Sequence, residues 1–156
     1  MKNITIEQVK DHVRNRTYMS GTNRDNARIK STGEVFTPTS LVNEILDKHP
    51  QELFSNPDKK VIDQFCGDGQ FLGEVLIRKM ENGIDFETAL STIFGVDLML
   101  DNTKLCKERL LCGQEHLKQI VDKNIVCADA FRYHYRFDGT DPYKSKYDLH
   151  FDTLFS

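Results

Sequence analysis

Apolar positions recur along this chain in two rhythms, and the two alternate. Ile6, Val9 and Val13 stand at helical spacing behind Thr5, with Gln8 three residues on. That pair is a capping box, so the pattern predicts a helix over 5–17. Leu41, Val42, Ile45 and Leu46 predict a second helix over 39–48, capped by Thr39 or Ser40. A third helix follows residue 69, with Phe71, Leu72, Val75, Leu76 and Met80 inward and Asn82-Gly83 as its stop. A short one is expected over Phe86–Ser91. A longer one runs from about Leu100 to Leu117, with Cys106, Leu110 and Leu117 on one face and a break at Gly113. Between these lie short apolar runs of strand type at 60–65, Ile93–Leu98 and 124–127. The last run, 147–155, alternates, with Leu149, Phe151, Thr153 and Phe155 on one face. The polar stretches 18–35, 49–59 and 132–146 are read as loops, with a half-buried strand edge expected where the last one opens at Arg132–Phe137.

Alternating strands and helices predict an α/β fold: three layers around a mainly parallel, Rossmann-like sheet of about four strands. The organising stretch is residues 61–72, Val-Ile-Asp-Gln-Phe-Cys-Gly-Asp-Gly-Gln-Phe-Leu. A strand ends in an acid, a Gly-x-Gly turn follows, and a helix opens. Glycines let such a turn bend sharply and let a ligand approach the backbone, while the helix N-terminus offers free N–H groups. Asp63, Asp97 and Asp129 each close a predicted strand, at the sheet end where open α/β folds place ligands. An acid in the position of Asp97 can accept hydrogen bonds from the paired hydroxyls of a ribose, or can cap the helix that follows. The spacing Gly67-x-Gly69-x-x-x-Gly73 is one residue longer than a dinucleotide fingerprint. A carboxylate at Asp63 would crowd a pyrophosphate.

The stretch Asp63-x-x-Cys66-Gly67-x-Gly69-x-Phe71-Leu72 resembles the S-adenosylmethionine (SAM) loop of N6-adenine DNA methyltransferases, the restriction-modification type of methylase. That family reads Asp-Pro-Ala-Cys-Gly-Thr/Ser-Gly-Gly-Phe-Leu there; Gln64, Phe65, Asp68 and Gln70 depart from it. Phe36-Thr37-Pro38, just before a helix, is similar to the family's Phe-x-Thr-Pro segment, one residue shorter. The resemblance implies SAM as cofactor, with Asp63 facing its amino group, Asp97 its ribose, and Asp129 and Phe131 its adenine. Phe36, Thr37, Cys66, Gly67, Gly69 and Phe71 complete the expected cofactor set. The family carries Asn/Asp-Pro-Pro-Tyr/Phe after its fourth strand, to hold the target amino group and stack on a flipped base. This sequence reaches Phe155-Ser156 without it. Asp141-Pro142-Tyr143 is a near match that precedes the strand, so no catalytic residue is assigned.

Composition changes this picture little. The chain has 156 residues, 38% hydrophobic and 29% charged, with a net charge of −3, which argues against a strong nucleic-acid binder. The charge is uneven: residues 1–30 hold seven basic side chains against three acidic ones. An arm of that kind can touch phosphates, so DNA is a candidate partner. The organisation expected is a helix and basic polar arm over 1–32 and a SAM-binding domain over 33–156. No apolar run has the length of a membrane span, the N-terminus lacks a signal peptide's apolar core, and the four cysteines form no C-x-x-C pair. These features fit a cytoplasmic protein without a metal site. The functions expected are DNA adenine N6 methylation or a reduced relative without the acceptor motif. The alternatives are a non-catalytic SAM-binding protein and an enzyme that acts on SAM itself. A homo-oligomer or a completing partner subunit would cover the edge left by the last strand.

Overall fold

The computed structural model describes residues 3–15 and 37–143. The polar loop at 18–35, Phe36 and the alternating run at 147–155 lie outside the described residues. Helix α1 is Ile6–Arg14, opened by a complete capping box in which Thr5 and Gln8 bond each other's backbone. Helix α2 is Thr39–Asp47. Pro38 occupies its cap position, so neither Thr39 nor Ser40 caps it. A one-turn helix, α3 (Glu52–Ser55), interrupts the loop expected at 49–59 and buries Phe54. Then come β1 (Val61–Asp63), α4 (Gln70–Glu81), α5 (Phe86–Ser91) and β2 (Ile93–Asp97).

Helix α6 runs from Leu100 to Leu111 and ends on Cys112 and Gly113, both with positive φ. Two consecutive left-handed residues stop the helix, as the glycine there suggests. Beyond them a 3₁₀ turn at Glu115–Leu117 leads into α7 (Lys118–Asn124), which the sequence reading did not anticipate, and then β3 (Ile125–Cys127).

The strands form one parallel sheet in the order β1-β2-β3, with Val61 beside Ile93 and Gly95 beside Ile125. The principal core holds residues from every helix together with Ile93 and Ile125, and Val61 packs on it. Helices therefore cover one face of the sheet. Successive crossovers between neighbouring strands, taken in one sense, drop their helices on the same side. The opposite face carries Val96, Val126 and Ala128 under an irregular segment from Ala130 to Phe137. Among the described residues the second helical layer of the expected three-layer arrangement is absent. The strand edge expected at Arg132–Phe137 is absent too. Tyr135 and Phe137 take φ of 54° and 48°, which breaks strand alternation. Their rings, with Tyr133, pack on one another and on Phe94 instead.

Candidate functional site

The carboxyl ends of the three strands meet a single turn. β1 closes with Asp63, whose Oδ1 accepts the Phe65 N–H at 3.0 Å. The chain then crosses β2, where the Cys66 N–H donates to the Val96 carbonyl, and the Gly67 N–H donates to Asp97 Oδ2 at 3.1 Å. Gly69, at φ 92°, is the cap of α4. The two glycines serve different ends. A Cβ on Gly67 would meet nothing within 4 Å, so this backbone is open to the space above the sheet. A Cβ on Gly69 would stand 3.0 Å from Cys106 Sγ and 3.5 Å from Arg109 Cδ. Gly69 therefore makes room for α6 beneath the turn, and not for a ligand.

Asp97 shapes this end of the sheet. Its Oδ1 accepts from the Met99 N–H and from Asn102 Nδ2, and its Oδ2 from Gly67. It thus fixes both the turn and the start of α6. Asp129 caps the bend after β3, accepting the Phe131 N–H at 2.9 Å, while its own N–H donates to the Tyr143 hydroxyl at 3.0 Å. Phe131 stands 87% exposed, its ring 5.9 Å from that of Phe65.

A cavity of about 500 Å³ lies over this surface. Thr37, Cys66, Gly67, Phe71, Asp97, Asp129 and Phe131 all line it. Gly69 lies behind the wall. Asp63 lines a neighbouring trough of about 780 Å³ along β1. Gln64, Phe65 and Phe71 border both spaces. Burial raises the Asp63 carboxyl above its ordinary value, its bond from Phe65 opposes this, and Asp97 adds to the rise. Among the described residues no cation pairs with it. The Cys66 thiol is pushed well above its ordinary range by its hydrogen bond with Cys106 and by burial, so it remains a protonated packing group.

Several site residues escaped the sequence reading. Arg109 is 1% exposed and donates through Nη1 to Asp68 Oδ1 at 3.1 Å and to Gln70 Oε1 at 3.1 Å. Gln70 Nε2 in turn donates to Thr39 Oγ1 at 2.8 Å. Asn102, Leu98 and Phe65 also line the cavity. Arg109 left one trace in the sequence: it falls beside Cys106 and Leu110 on the inward side of α6, where a charge needs a buried partner.

The family described as N-6 DNA Methylase matches residues 22–147, most of the chain. The chain belongs to that family. No curated protein and no solved structure matches it. As an N-6 DNA methylase relative, the protein is methyltransferase-like, and the turn at residues 63–72 lies within the matched span. Within that turn, Asp68 and Gln70 both accept from Arg109. No described helix is long and apolar enough to cross a membrane. No group of acidic, histidine or cysteine side chains among the described residues is arranged to hold a metal.

Proposed function

We propose that this chain carries the SAM site of a DNA adenine N6 methyltransferase. The observation that carries the reading is the convergence on one cavity of Thr37, Gly67, Asp97, Asp129 and Phe131, drawn from separate segments, over the ends of three parallel strands.

The residues fit the cofactor chemically. Phe131 and Phe65 offer apolar faces for the adenine, and an exposed ring that gains a stacking partner recovers its cost of exposure. Gly67 leaves the backbone bare where a ligand must lie close. Asp97 already accepts three hydrogen bonds, and a carboxylate has about four acceptor positions. It has room for one ribose hydroxyl rather than a clamp on two. Asp63 stands past the shared wall, a half-buried carboxylate suited to the ammonium end of the methionine moiety. When bound, SAM supplies an electrophilic methyl group. The chain's own contribution would be to hold the cofactor in one orientation and to shield it from water with the apolar side chains that line the cavity.

The acceptor side is a separate matter. No Pro-Pro-aromatic segment occurs in the sequence. Asp141-Pro142-Tyr143 spends its phenol on the Asp129 backbone. The adenine clamp and DNA reading therefore fall to a further protein part or partner subunit. Methyl-labelled SAM and mixed-sequence DNA test this. With the chain alone we expect bound SAM and no methylated DNA. Adding a subunit that carries the acceptor segment should place label in N6-methyladenine. Label in cytosine, or SAM cleaved without DNA, would overturn the reading, the latter in favour of an enzyme acting on SAM itself.

A further inference from the structure

Two walls of the cavity come from distant parts of the chain. One is the glycine turn at 66–70; the other is the segment at Thr37 that enters α2. Packing alone does not hold them together: Gln70 reaches across, donating from Nε2 to the Thr39 hydroxyl at 2.8 Å while its Oε1 accepts from Arg109 at 3.1 Å. Arg109 also donates to the Asp68 side chain at 3.1 Å and to the Asp68 carbonyl at 3.4 Å. Its stem lies against Gly69 and Gly73, where added Cβ atoms would stand 3.5 and 3.4 Å from Cδ. Asp68 and Arg109 are both buried, so neither charge has water to replace the other. The guanidinium is thus a fixed post in α6. The turn is pinned to it twice, through Asp68 and through Gln70, and the second pin extends to α2.

We infer that Arg109 and Gln70 are positioning residues for the cofactor cavity, which hold the glycine turn and the Thr37 wall at the separation the ligand needs. The inference rests on the SAM reading above. A side chain that merely stabilised the fold would alter melting and leave the affinity of the folded protein unchanged. A positioning network alters affinity, and its members are not additive. Asp68 and Gln70 both accept from the buried guanidinium, which ties the turn to α6.

The test is calorimetry of the full chain with SAM and with S-adenosylhomocysteine, beside thermal melts. Thr39→Val and Gln70→Ala remove the bridge from half-buried positions. Each should weaken binding roughly three- to tenfold, and the double variant should be no weaker than the worse single one. Melting should change little in Thr39→Val; Gln70→Ala also strips an acceptor from the buried Arg109 and should melt somewhat lower, and Gln70→Glu, which keeps that acceptor, should recover part of both losses. Arg109→Lys should bind more weakly than wild type at equal folded fraction. If Arg109 variants fail to fold, the bridge variants alone decide the matter. Binding unchanged in both bridge variants, or losses that simply add, would overturn the inference while the SAM reading stands. A folded wild-type chain that binds neither ligand would overturn both.

Discussion

At Asp63 a single carboxylate sets a conflict between folding and binding. Burial raises it above its ordinary value, so the folded chain binds its proton more tightly than the unfolded chain does. Stability then falls as pH rises from the ordinary carboxylate range through the raised value, and is level above it. Asp63→Asn removes that dependence. The variant should be more stable than wild type at pH 7, with the difference shrinking toward pH 4, as denaturant melts at several pH values would show. Its affinity for SAM should fall, because an amide has no charge for the ammonium group. A loss of stability at neutral pH would mean that the carboxylate is paired in the fold. The acids at the strand ends were legible in the sequence because a strand end and a turn are local signals. What they touch was not. Asp97 is occupied by Gly67, Met99 and Asn102, and Gly69 serves α6 rather than a ligand. Arg109 and Asp68 are 41 residues apart, a pairing that periodicity cannot register.

The elements divide the same way. Where local chemistry decides, sequence and structure agree closely. The capping box of α1, the span of α5 and the stop of α4 at Asn82-Gly83 are all as read, and the structure adds Asp85 as the cap of α5. Thr5→Ala should lower stability by about 1 kcal/mol, the usual worth of a side-chain cap, measured by denaturant unfolding. α1 is not an appendage: Val9 and Val13 are buried against the rest of the core, so fraying at its start reaches the whole chain. A change well under half that size would mean that packing alone holds the helix. Where tertiary contacts decide, the reading fell short. The aromatic run after β3 suggests a strand edge in sequence, and nothing local there announces the positive φ of Tyr135 and Phe137. α7 is short and follows a helix stop, so its apolar positions offered too few turns to show a period.

Across the described residues, helices cover one face of the sheet and leave part of the other open. Ile62 on that face is 49% exposed, and Phe65, Leu98 and Phe131 crowd the rim of the cavity with apolar surface facing water. Exposed apolar surface collected beside a cavity marks a place where something binds. On the proposed function, that surface would meet the cofactor in the cavity and, along β1, the part that holds the acceptor base. Basic side chains outnumber acidic ones in the first thirty residues, which leaves the rest of the chain net acidic. DNA contact by this chain is therefore expected to be weak and salt-sensitive. The central claim does not depend on DNA. Calorimetric titration of the full chain with S-adenosylhomocysteine tests it most directly, with Phe131→Ala as the companion because that exposed ring can be removed without a core cavity. One ligand per chain is expected, with a clear loss of affinity in Phe131→Ala and no change in melting. No heat of binding from wild-type protein that melts cooperatively would contradict it.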